Sequence, residues 1–259
     1  MDERLIAFKR LLDIMDELRE KCPWDREQTY ESIRNLTIEE TYELADAITL
    51  EDREEMKKEL GDILLHIVFY AKIGTERGDF DIKSIIDSLC EKLIFRHPHV
   101  FGDEDVNGSS NKVKQNWEEL KQKEKNRKRV LGGVPNSLPA LIKANRIQEK
   151  VRSVGFDWDI REQIWDKVEE EMNEVKEEIK LQDKENTEKE FGDLLFSVVN
   201  AARLYDIDPE NALERTNQKF MRRFSYLEDN TIRKGRSLRD MNLDEMNEIW
   251  EEAKQFDKK

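Results

Sequence analysis

The stretch Glu59-Leu60-Gly61-Asp62-Ile63-Leu64-Leu65 returns 131 positions later as Glu190-Phe191-Gly192-Asp193-Leu194-Leu195-Phe196. The same offset relates Glu39, Glu40 and Glu43 to Glu170, Glu171 and Glu174. One carboxylate pattern, EExxE followed by ExxD, therefore occurs twice in register. An internal repeat this regular implies two copies of one structural plan.

Each residue of an α-helix turns by about 100°. With Glu39 at zero, Glu43 falls near 40°, Ala47 near 80°, Glu40 near 100° and Leu44 near 140°, so acids and apolar residues share a face. In the next segment Glu59 and Asp62 lie about 60° apart, bordering the stripe Leu60, Ile63, Leu64, Ile67, Val68 and Ala71. Two such helices packed antiparallel direct Glu40, Glu43, Glu59 and Asp62 towards one point. Carboxylates at 4 Å repel one another by roughly 1 kcal/mol per pair even in water. A cation is expected between them, and all-oxygen ligands favour Mg²⁺ or Mn²⁺ over zinc or copper. A blander reading makes Thr37-x-x-Glu40 a capping box and the acids a by-product of 40% charged residues. Recurrence in register argues against it.

A chain of 259 residues suits one large domain or two of average size, and the repeat favours two. The expected division is 1–125, a linker at 126–138 around Leu131-Gly132-Gly133-Val134-Pro135-Asn136, and 139–259. Hydrophobic residues make up 37% and mean hydropathy is −0.86, as expected of small helical bundles with solvated outer faces. No apolar run is long enough to cross a membrane, and Met1-Asp2-Glu3-Arg4 does not open a signal peptide, so a cytoplasmic protein is expected. Cys22 and Cys90 lack metal-type spacing and read as buried, reduced thiols. A net charge of −14 excludes extended nucleic-acid contact but not a small phosphate compound that arrives with its own metal ions.

Apolar periodicity predicts helices over about 2–20, 37–50, 52–77, 81–96, 139–153, 162–181, 187–205 and 209–229. Pro23 ends the first helix and Gly78 stops the third. The turn Cys22-Pro23-Trp24-Asp25 has its counterpart in Gly155-Phe156-Asp157-Trp158-Asp159. His97-Pro98-His99 reads as a structured turn rather than a metal site, 102–111 as a polar loop, and the basic run after 122 as a solvated helix end. Lys92 and Arg96 share a four-residue spacing with Lys219 and Arg223, and Trp117 and Lys121 share one with Trp250 and Lys254. No strand-like alternation occurs, so the fold class is all-α, as tandem duplicated helical-bundle domains.

The EExxE and ExxD pairs, the CPWD and HPHVF segments, GFDW and the duplicated layout together resemble the MazG-type nucleoside triphosphate pyrophosphohydrolases, over nearly all of both halves. That family belongs to the all-α NTP pyrophosphatases, related to all-α dUTPases. The resemblance implies hydrolysis of an NTP to NMP and diphosphate with Mg²⁺, Mn²⁺ being a possible substitute. It also implies broad specificity that includes non-canonical nucleotides, a role in nucleotide-pool housekeeping, and a homodimer completing the helical bundle. Carried over by position, Glu171, Glu174, Glu190 and Asp193 are the implied metal ligands. Lys167, Glu170, Glu171, Lys189, Asp193, Lys219, Arg223, Trp250 and Lys254 are the implied nucleotide contacts. Glu170, Glu171, Lys219 and Arg223 are the implied catalytic groups, with Glu170 or Glu171 acting on the attacking water. A possible second site comprises Glu40, Glu43, Glu59, Asp62, Lys92, Arg96, Trp117 and Lys121.

One departure separates the halves, because the position matching Lys167 is Leu36. The second half is therefore the expected main catalyst, while the first binds nucleotide, works slowly or serves the fold. Trp250 reads equally as a base-stacking ring or as core. Two other classes compete. One is a non-catalytic Mg-nucleotide-binding regulatory or scaffold protein; the other is a di-iron carboxylate bundle, which needs Glu-x-x-His pairs where this chain has Asp62 and Asp193.

Overall fold

A computed structural model describes residues 2–103, 113, 117, 120, 129–233 and 235–256. The described residues are helical with no strand, in two compact units, Met1–Ser110 and Asn111–Lys259. No helix among them is long and apolar enough to cross a membrane.

The first unit opens with α1 (Glu3–Lys21), N-capped by Asp2, whose carboxylate accepts from the Arg4 amide. Pro23 both ends that helix and begins another, the short α2 (Pro23–Glu27), since proline fits a helix's first turn. The first acid helix, α3 (Tyr30–Thr49), starts well before the predicted position 37. Its capping box is Thr29 with Ser32. Thr37 lies inside the helix, where its hydroxyl donates to the Ile33 carbonyl and meets the Tyr70 hydroxyl. The capping-box explanation for Glu40 therefore fails.

Helix α4 (Arg53–Arg77) is capped by Asp52 and stops at Gly78, whose φ of 72° is the left-handed conformation that glycine adopts without strain. Gly74 matters for a different reason, because a Cβ there would lie 2.6 Å from the Phe80 ring. Helices α5 (Ile82–Arg96) and α6 (Pro98–Phe101) follow, joined at His97, so His97-Pro98-His99 forms the expected turn. The core of this unit joins α1, α3 and α4 through Met15, Ile33, Val68, Phe69 and Ile73. Arg19 ties the Trp24 turn to α4, donating to the Asp25 and Gln28 carbonyls and pairing with Glu76. Neither cysteine is buried as expected; Cys22 is half-buried and Cys90 exposed.

The second unit repeats the plan with α7 (Ala140–Arg152), α8 (Ile164–Leu181), α9 (Lys184–Leu204), α10 (Pro209–Ile232) and α11 (Leu243–Ala253). Its buried apolar residues include Ile164, Val175, Val199, Leu227, Ile249 and Ala253. The GFDW turn is anchored as in the first unit, here by the buried Arg203, whose guanidinium pairs with Asp157 and also donates to the Asn200 side chain. Lys121 and most of the residues around Trp117, including most of the loop expected at 102–111, lie outside the described residues.

Each acid hairpin turns through a non-glycine residue in the left-handed region, Glu51 at φ 56° and Gln182 at φ 58°, followed by the N-capping aspartates Asp52 and Asp183. A non-glycine residue pays roughly 1 kcal/mol there. Gln182→Gly is therefore expected to stabilise the second unit by about 1 kcal/mol in urea denaturation, whereas Gln182→Val should destabilise it.

Candidate metal and nucleotide site

The short turn between α3 and α4 forces the two helices to run antiparallel, so residues from one meet residues from the other about two turns from the loop. Carboxylate oxygens of Glu40, Glu43 and Glu59 come within 4.8 Å of one another, and those of Glu171, Glu174 and Glu190 do the same between α8 and α9. The structure thus gathers three of the four expected acids in each copy. Asp62, half-buried, and Asp193, exposed, lie one turn further along and are not in these groups.

The two clusters manage their repulsion differently. In the second unit Lys167 bridges Glu170 at 3.1 Å and Glu171 at 2.7 Å. Those two carboxylates hold the Lys167 ammonium firmly in its charged form, well above its ordinary pKa. Glu171 is only 5% exposed, and its burial is tolerable because a cation accompanies it. Glu174, facing Glu171 and Glu190 and partly removed from water, has its pKa raised.

The first unit has Leu36 where Lys167 stands, and its buried acid comes from the other helix. Glu59 is 4% exposed, and its Oε2 has no hydrogen-bond partner among the described residues. Burial, then the charge of Glu43 and contacts with Glu40 and Glu55, push its pKa up to about 7. The all-oxygen donor sets of both units suit a hard divalent cation such as Mg²⁺ or Mn²⁺, and in the first unit the unpartnered Glu59 oxygen adds to that fit.

The remaining expected residues fall into separate groups. Lys189 is exposed and paired with Glu185 on its own helix, and Lys254 pairs with Glu251. Lys219 and Arg223 lie half-buried one turn apart on α10. The Arg223 guanidinium stands 5.5 Å from the centre of the Trp250 ring, which also tilts against Phe220 at 4.9 Å. Trp250 therefore forms a wall rather than filling the core. Across from it an open groove of about 260 Å³ runs between α10 and α11, lined by Phe220, Phe224 and Leu227 on one side and Leu243, Met246, Asn247 and Trp250 on the other. In the first unit Lys92 is half-buried and Arg96 buried on α5; Trp117, also half-buried, falls within the second unit.

Two features were missed by sequence reasoning. The groove was detectable, since Phe220, Phe224 and Leu227 share one helical stripe, as do Leu243, Met246, Asn247 and Trp250. The clamp at the start of α8 was not. There the Trp165 indole donates to the Tyr205 hydroxyl at 3.1 Å, while Arg161 lies over the Tyr205 ring at 4.8 Å. These contacts span 40 residues or more and have no periodic signal.

An all-α chain with a three-carboxylate, oxygen-donor cluster on each of two helical hairpins, one of them paired with Lys167, has the makings of a nucleotide hydrolase. The model for the MazG nucleotide pyrophosphohydrolase domain matches residues 28–101 and 161–227, taking in both clusters. The chain belongs to the MazG family. It is 45% identical over 258 residues to the nucleoside triphosphate pyrophosphohydrolase/pyrophosphatase MazG of Thermotoga maritima, covering 98% of each chain. It is 43% identical over 253 residues to the nucleoside triphosphate pyrophosphohydrolase of Escherichia coli K12, covering 95% of this chain and 96% of that one. The crystal structure of a mazG-related protein from Thermotoga maritima aligns with 44% of this chain and 98% of that one at 28% identity, with a TM-score of 0.39.

Glu59 gives the metal-free protein a distinct pH response. Between roughly pH 4.5 and 7 the folded form keeps a proton that the unfolded chain releases, so this contribution to stability is lost as pH rises through about 7. The melting temperature of the first unit in EDTA is expected to fall from pH 5 to pH 8, Glu59→Gln should flatten the decline, and millimolar Mg²⁺ should reverse it at pH 8.

Proposed function

We propose that this protein hydrolyses nucleoside triphosphates to the monophosphate and diphosphate, with the second unit as the main catalyst. The observation that carries this reading is the Glu171, Glu174 and Glu190 cluster with Lys167 built into it. Family membership and the activities for which the Thermotoga maritima and Escherichia coli relatives are named agree with it. Glu171, Glu174 and Glu190, with Asp193 at the edge, would hold Mg²⁺, or Mn²⁺ in its place. When bound, Mg²⁺ supplies neutralisation of phosphate charge and acidification of a water molecule.

The chain's own residues do the rest. Lys219 and Arg223 bind the triphosphate and stabilise the departing diphosphate as the water oxygen bonds to the α-phosphorus and the bond from that phosphorus to the bridging oxygen breaks. Glu170, exposed beside Lys167 and outside the three-acid group, takes the water's proton; Glu171 is held by the cluster. Lys167 keeps the cluster's charge low enough for an anionic substrate to approach. Trp250 offers a face on which any base stacks, in keeping with broad specificity over canonical and non-canonical nucleotides and a housekeeping role in the nucleotide pool.

The same reading includes a homodimer. Phe191, Leu195 and Val198 form an exposed apolar stripe on α9, and their counterparts on α4, Leu60, Leu64 and Ile67, are equally exposed. Such stripes fit cover by a second copy completing each bundle. Sedimentation should give about twice 30.9 kDa, and Leu195→Glu should yield monomer.

The deciding experiment is diphosphate release from ATP, GTP, CTP, UTP and their deaminated analogues with Mg²⁺. Glu174→Ala is expected to reduce turnover by about 100-fold, equivalent to some 3 kcal/mol of lost transition-state stabilisation, and Glu43→Ala to leave most activity intact. Comparable losses in both variants would mean two working sites. Absence of turnover by the folded wild type would replace the hydrolase reading with a nucleotide-binding module.

A further inference from the structure

On α11 the half-buried Met246 and Trp250 line the groove against α10, with the exposed Leu243 and Asn247 at its edge. Among the described residues lining the groove Asn247 alone has a side chain that both donates and accepts. It is exposed, and no hydrogen bond to another described residue engages its amide. A donor and an acceptor left open at the edge of an otherwise apolar groove are available to orient a ligand.

The opposite wall indicates which ligand. On α10 the cations Lys219 and Arg223 each precede an aromatic, Phe220 and Phe224, so the helix presents a cationic stripe and an aromatic stripe about 100° apart. A nucleotide has the same two parts, an anionic chain and a planar ring. At about 260 Å³ the groove is smaller than the roughly 300–1,000 Å³ typical of sites that enclose a whole ligand, and it suits the ring alone.

We propose that Asn247 is a specificity-determining residue that reads the hydrogen-bonding edge of a base resting in the groove against Trp250. This rests on the nucleotide reading given above. A carboxamide presents one donor and one acceptor side by side, and each common base has an edge with a neighbouring donor and acceptor. By turning to suit, the amide engages all four bases, which yields tolerance rather than selection. A carboxylate at this position only accepts, and guanine alone offers two adjacent donors, N1–H and the N2 amino group.

The test compares wild type, Asn247→Asp and Asn247→Leu. It uses kcat/KM for ATP, GTP, CTP and UTP, and calorimetric binding of the α,β-imido analogues of ATP and GTP. Asn247→Asp is expected to raise the GTP-to-ATP ratio about tenfold in both measurements, the discrimination typical of a bidentate base contact. Using the ratio removes any general effect of the added negative charge. Asn247→Leu should raise KM for all four nucleotides while leaving kcat near wild type. Because Asn247 is exposed, neither variant threatens the fold. A GTP-to-ATP ratio within twofold of wild type in Asn247→Asp would overturn the proposal. An unchanged ratio with altered sedimentation would also overturn it and make the groove a protein interface. If wild type hydrolyses nothing but the binding ratio still shifts, base reading stands and only the hydrolase reading falls.

Discussion

Carboxylate repulsion at the centre of each hairpin is the constraint on which the rest of the structure depends. Three side chains of like charge are held with oxygens within 4.8 Å, some of them almost removed from water. An arrangement of that kind persists only if protons, cations or ligand charge relieve it. The units solve the problem separately. One uses Lys167 as a built-in counter-ion, and in the other burial and the neighbouring acids raise the pKa of Glu59. That contrast follows from one position, Lys167 against Leu36, and the buried acid moves from one helix of the hairpin to the other with it.

The surrounding structure holds the strained centre in place. Aspartate caps begin α4 and α9 next to left-handed residues, so the hairpin turns have little freedom. Ion pairs from Arg19 and Arg203 fasten the preceding tryptophan-bearing turns to the far end of the second acid helix. In the second unit Trp165, Arg161 and Tyr205 tie the start of α8 to the end of α9.

Much of this was legible in the sequence because it is periodic. Helices α4, α5, α8 and α10 fall close to their predicted limits, and Gly78 terminates α4 as its backbone freedom suggests. The pairing of Glu171 with Glu174 and Glu190 followed from a turn of about 100° per residue and a short connection. What could not be read was non-periodic. The early start of α3 depends on a Thr29–Ser32 box that no apolar pattern marks, and the exclusion of Asp62 and Asp193 from the tight clusters depends on side-chain directions. The Trp165–Tyr205 contact joins residues 40 apart in the chain. Asn247 was visible as a residue but lacked meaning until α10 supplied the facing wall.

The shortness of the hairpin links has a kinetic consequence. Only Leu50, Glu51 and Asp52 separate α3 from α4, and only Gln182 and Asp183 separate α8 from α9. Contacts so close in sequence have a small loop-closure penalty and form early in folding. The acids therefore meet on a nascent hairpin before the outer helices dock, and their mutual repulsion acts on the transition state rather than on the finished bundle alone. Whatever relieves that repulsion would then act on the speed of folding as well as on the stability of the folded bundle.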